Sequence, residues 1–173
     1  MIIAIDPGKS GGIAWKDEVN VYAEKMPDTI KGIRDLLKKI TEPYNPLGVS
    51  DDLLYCPPCV CYLEKVNSMP GQGVSSTWAF AENYGALKAI LCCLNISLLT
   101  VSPKVWQRAI GATRPNTGKD ATRAQKNAAV REGKHRIKEI VEARFPHLKV
   151  TLRTADALGI LIYATKQEKR YDA

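Results

Sequence analysis

Ile2-Ile3-Ala4-Ile5-Asp6-Pro7-Gly8 is the stretch from which the rest of the chain can be read. Four apolar residues, three of them β-branched, are too few for a helix. They also lack the alternation of a strand with one wet face, so they predict a buried central strand. Asp6 follows the strand at once, and Pro7-Gly8 turns the chain there. Next, residues 11–15 and 19–23 flank the polar Lys16-Asp17-Glu18 and predict an antiparallel hairpin. Pro27-Asp28 can start a helix that aligns Ile30, Ile33, Leu36, Leu37 and Ile40 on one face.

Residues 41–52 hold two prolines and a glycine and read as a loop, and residues 60–66 as the next strand. Phe80, Tyr84, Leu87, Leu91 and Leu94 repeat at helical spacing within a predicted helix over 75–94. Residues 97–101 are a further strand, and Ser102-Pro103 caps and starts a short helix through Ile110. Residues 111–126 are polar and basic without periodicity and read as a loop. Val130, Ile137, Ile140, Val141 and Phe145 mark a helix ending at Pro146, and residues 154–165 the last one. The order predicts one α/β domain over residues 1–173. Its mixed sheet combines a hairpin meander with parallel strands and carries helices on its faces.

The 173 residues are 45% apolar and 25% charged, which excludes disorder and collagen and is enough for one core. The net charge of +7 is not spread evenly. Residues 103–153 carry 13 Lys/Arg against Asp120, Glu132, Glu139 and Glu142, a local +9, so the remainder is close to neutral. That distribution reads as a docking surface for a polyanion, against the plainer alternative of a solvated helix face and loop. No apolar run approaches the roughly 18 residues of a membrane span. Met1 to Asp6 has neither the basic start nor the cleavage site of a secretion signal, so a cytoplasmic protein with reduced cysteines is expected.

Several motifs fall away. Gly8-Lys9-Ser10 lacks the earlier glycine of a phosphate-binding loop, since position 3 is Ile. Cys56, Cys59, Cys61, Cys92 and Cys93 have metal-like spacings, but zinc would need them to meet in space; two reduced clusters are the simpler reading. His135 and His147 have no partner pattern for nucleophilic catalysis.

Three acids stand out. Asp6 ends the first strand, Glu64 interrupts the apolar strand Val60-Cys61-Tyr62-Leu63, and Asp156 enters the apolar helix Ala155 to Leu161. Burying a carboxylate costs several kcal/mol unless a cation offsets it. Each has a local explanation, namely a turn, a lysine neighbour or a helix N-terminus. Their convergence on a divalent cation explains all three together, and oxygen donors suit Mg²⁺ or Mn²⁺.

Ile5-Asp6-Pro7-Gly8, Leu63-Glu64-Lys65-Val66 and Ala155-Asp156-Ala157-Leu158, in this order and spacing, resemble the RuvC-type Holliday-junction resolvases of the ribonuclease H-like superfamily. The resemblance spans nearly the whole chain. It implies a ribonuclease H-like fold and a homodimeric endodeoxyribonuclease that cuts four-way DNA junctions by paired symmetric nicks. Asp6, Glu64 and Asp156 would hold two Mg²⁺ per site, with Mn²⁺ able to substitute.

Lys9, Lys104, Arg108, Arg114, Lys119, Arg123 and Lys126 would contact DNA phosphates. At the family's fourth metal position stands Arg153, which cannot bind metal; it either leaves the second ion looser or contacts phosphate. The loop after Glu64 lacks the aromatic that probes the junction, leaving Met69, Gln72 or Trp78 to substitute. The competing readings are a nucleotide-binding protein of the actin type, a non-catalytic junction-binding protein, and a related nuclease for other branched DNA or RNA–DNA hybrids. The first needs two such domains and a longer chain.

Overall fold

Strand β1 (Ile2–Ile5) takes the middle of the sheet because both its faces are apolar and both are covered. In this computed structural model, which describes residues 1–42, 59–66, 73–113, 117–118 and 120–171, it is flanked by β2 (Gly12–Lys16) and β4 (Val60–Glu64). Strands β3 (Val21–Lys25) and β5 (Ser97–Val101) form the edges, giving the order β3-β2-β1-β4-β5. The first three strands run antiparallel as a meander, and β4 and β5 continue parallel to β1. This is the mixed sheet that the element order predicts.

Side-chain parity sorts the two layers. Ile3, Ile5, Ile13, Cys61 and Leu63 face helices α1 (Ile30–Thr41) and α2 (Val74–Cys93), meeting Ile33, Leu37, Leu87 and Leu91. Ala4, Ala14 and Tyr62 face the other way, under α3 (Pro103–Ala109), α4 (Arg123–Arg144) and α5 (Ala155–Tyr171). Ala4, Ala14 and Ala23 lie in register across three strands, a shelf of small side chains that lets α5 lie across β1 and β2. A Cβ on Gly12 would stand 2.8 Å from the Arg153 carbonyl oxygen, so the turn entering α5 packs directly on the β2 backbone.

Several boundaries differ from the sequence reading. The hairpin strands begin one or two residues later, because the Asp17 carboxylate accepts from the Val19 and Asn20 backbone N–H groups and closes the turn there. Strand β4 stops at Glu64. Helix α1 starts at Ile30, capped by Thr29 rather than by Pro27-Asp28, and Ile30 itself is exposed. Ser102 precedes α3 without a side-chain cap bond.

The largest correction is in α4. Its first turn lies inside the segment read as loop, because Thr122 and Gln125 form a reciprocal capping box that starts the helix without a large apolar residue. Helix α5 runs on to Tyr171. The predicted loop over 41–52 lies largely outside the described residues.

Candidate functional site

The parallel register pairs Ile5 with Leu63, so the next residues along, Asp6 and Glu64, end adjacent central strands at their carboxyl ends. Ligand sites of parallel sheets form at that edge. Asp6 has the parity of Ala4 and Glu64 that of Tyr62, which sets both on the face covered by α5. Asp156 occupies the first turn of that helix, where the backbone dipole favours a negative charge. The turn Thr151 to Thr154 locks the entry, with Thr154 Oγ1 accepting from the Thr151 N–H at 3.0 Å.

Asp6 and Asp156 act on each other as like charges. Burial first, and the Asp156 charge second, push the Asp6 carboxyl up to about 6, against the Gly8 backbone N–H and the Lys134 ammonium. Gly11 makes room for this acid, since a Cβ there would collide with the Asp6 carbonyl oxygen and its carboxylate. Glu64 is held differently: Trp106 Nε1, fully buried on α3, donates to its Oε1 at 2.9 Å. Trp106 in turn packs on Gly159 of α5, where a Cβ would come 2.7 Å from the ring. Glu64 also reaches toward α2, where burial and then the Glu64 charge raise the Tyr84 phenol.

The donor set tests its own fit for a metal. Among the described residues, no group of three His, Cys, Asp or Glu side chains could hold an ion as they stand. The Asp6–Asp156 pair nevertheless has the chemistry a hard divalent cation satisfies: carboxylate oxygens, burial and like charge. Glu64 is the third carboxylate at that end of the sheet, turned to Trp106. The cysteines form no comparable set. Cys61, Cys92 and Cys93 are free thiols, Cys61 raised by burial and by Cys59; Cys56 lies outside the described residues.

The predicted DNA contacts divide. Lys9, Lys104, Arg108, Arg123, Lys126 and Arg153 are all exposed. None enters the ion pairs found among the described residues, which join Lys31 and Arg34 to Asp35, Lys38 to Glu42 and Lys138 to Glu142. Met69, Gln72, Arg114 and Lys119 lie outside the described residues. Arg123 and Lys126 sit on α4, not on a loop.

The spacing Arg123, Lys126, Val130, Lys134, Ile137, Val141 follows threes and fours along one stripe of α4. Ile137 and Val141 on that stripe are buried in the core, and the exposed Lys134, which sequence reading missed, acts on Asp6.

No protein-family model and no curated protein matches this chain. Among solved structures it is similar to Thermus thermophilus RuvC, at 14% identity and a TM-score of 0.47, over 92% of this chain and 89% of that one. It is similar also to T. thermophilus RuvC in complex with Holliday junction substrate, at 13% identity and a TM-score of 0.49, with the same coverage. Neither similarity assigns a role to a residue here.

Trp106, Gly11, Gly159 and Lys134 therefore complete the candidate site, and each left some mark in the sequence. A Gly11-Gly12 pair close behind Asp6 and a glycine inside an apolar helix are signs of close packing. The Thr122–Gln125 box carries the helix start from which the position of Lys134 follows.

Proposed function

We propose that the chain is a structure-selective DNA endonuclease acting on four-way junctions, with Mg²⁺ as its cofactor and Mn²⁺ as a substitute. The observation that carries this reading is the Asp6–Asp156 pair, a buried carboxyl facing a like charge at the carboxyl end of the central strand, with Lys134 of α4 acting on it. Asp6, Asp156 and Glu64 would hold the metal, two ions per site. Bound there, divalent ions supply an activated water and charge stabilisation for the leaving 3′-oxygen.

The chain's own residues do the rest. Trp106 orients Glu64. Lys134, Arg123, Lys126, Lys104, Arg108 and Arg153 would line up phosphates and give salt-sensitive binding without reading sequence.

Paired nicks need two copies, and α2 supports a homodimer. Val74 and Trp78 are 86% and 75% exposed, and Ala81, Gly85, Ala89 and Cys92 continue the same open stripe. An antiparallel two-fold through Gly85 would set Trp78 beside Cys92, Ala81 beside Ala89 and exposed Glu82 beside exposed Lys88 of the second copy. That seam is complementary to itself in size and in charge.

The deciding experiment labels each strand of a synthetic four-way junction in turn, beside forks, flaps and RNA–DNA hybrids. Wild type should nick two symmetric strands of the junction in Mg²⁺, and Asp6→Asn should bind the junction without cutting it. Cleavage retained by that variant would refute the metal assignment. A second reading, a junction-binding protein without catalysis, is favoured by the lack of a ready three-carboxylate group among the described residues and by Arg153. It predicts binding with no nicking in either Mg²⁺ or Mn²⁺.

A further inference from the structure

On the α1/α2 side of the sheet, around the Pro7–Lys9 turn from the acids, lies a cavity of about 330 Å³. We propose that it receives a single unstacked nucleobase, with guanine the best fit; this rests on the nuclease reading for the polymer that delivers it. The cavity is at the small end of ligand sites, suited to one ring system rather than a peptide. Met26, Ile33 and Leu87 give it an apolar floor for a flat ring.

Within one copy most of its polar lining is uncommitted, Thr29 alone serving as the cap of α1. Lys9, Asp28, Glu82 and Asn83 make no side-chain hydrogen bond or ion pair with any described residue, although all four line the space. One cation against two carboxylates repels a phosphate. The same set accepts from N–H donors and donates to a carbonyl. Guanine presents that pattern on one edge: ring N–H and amino donors next to a carbonyl oxygen.

The location supplies the rest of the case. Pro7 and Lys9 follow Asp6 in the chain, so a backbone phosphate at the acids puts an adjoining nucleotide near the cavity mouth. Flipping a base out of the stack is least costly where the DNA is already unpaired.

Backbone-amide NMR of the full chain tests the pocket apart from cleavage. Titration with guanosine 5′-monophosphate should move the Lys9, Ile33, Ala79, Asn83 and Leu87 amides. Thymidine 5′-monophosphate should bind roughly tenfold more weakly, and inorganic phosphate should leave these amides in place. Asn83→Ala and Ala79→Leu, which narrows the cavity, should each weaken the guanosine monophosphate response. Equal shifts with phosphate, no shifts at all, or an unchanged Asn83→Ala response would overturn the proposal. Asn83→Ala decides the matter should Ala79→Leu misfold.

A junction series varied only at the bases beside the cut site adds the functional readout. Wild type should discriminate by roughly tenfold and Asn83→Ala should not. Equal cutting of every member by wild type counts against the pocket. A positive titration with no nicking of any DNA would sink the nuclease reading and leave the pocket standing.

Discussion

Asp6 combines three local facts: an apolar strand before it, a proline–glycine turn after it and a second acid beside it. Its folded carboxyl keeps a proton up to about pH 6, whereas the unfolded one releases it near 3.8. Between those values the folded state binds more protons, so metal-free stability falls as pH rises across that window. The loss, of order ~3 kcal/mol at most, is complete above the folded pKa. Urea unfolding in a chelator should therefore show wild type losing ground to Asp6→Asn between roughly pH 4 and pH 7. Parallel stabilities across that range would mean that the two acids do not press on each other.

Gly159 gives a second test at the same scale. Gly159→Ala drives a methyl into the Trp106 ring and should lower the urea midpoint by about 1–3 kcal/mol in free energy, with weaker nicking because Trp106 holds Glu64. Asp6 was legible as an isolated acid behind an apolar strand. Gly159 was legible only as a glycine inside an apolar helix, because nothing local names the ring it faces.

Among the elements, α4 and α2 depart furthest from simple patterning. The first turn of helix α4 offers no apolar residue larger than Ala124 and so reads as loop, yet its capping box alone marks the start. Helix α2 is apolar nearly all round but buries only part of its surface, and the exposed stripe through Gly85 is the face proposed for a second copy. Glu82→Lys should leave the protein monomeric in sedimentation by setting like charges against Lys88. The double exchange Glu82→Lys with Lys88→Glu should restore the dimer. A single variant that sediments like wild type would remove α2 from the interface. Strand identities, by contrast, were legible throughout, since short β-branched runs bounded by turn residues leave little choice.

At the scale of the molecule, charge and topology act together. Lys104, Arg108, Arg123, Lys126 and Arg153 are exposed and enter none of the ion pairs among the described residues, while Lys31, Arg34 and Lys38 of α1 pair with Asp35 and Glu42. Junction binding should weaken steeply with salt. Lys134→Ala and Arg123→Ala should each reduce the slope of log affinity against log salt by about one. Lys31→Ala, which removes a cation already paired with Asp35, should leave the slope unchanged. Slopes that respond equally to all three would place the nucleic acid elsewhere.

The amino-acid order alone carried the strand and helix succession, the buried faces and the identity of the three acids. Each of these depends on a side chain's relation to its neighbours within one element, through a period of two or of three and four. What packing decided is which of those groups meet. Parity put Asp6 and Glu64 on the face of α5, but only the seating of that helix on the alanine shelf brought Asp156 against Asp6. Only the burial of Trp106 turned Glu64 aside, and only the half-buried stripe of α4 brought Lys134 over the pair. Contacts between elements depend on distances set by the whole core, and no local period encodes them.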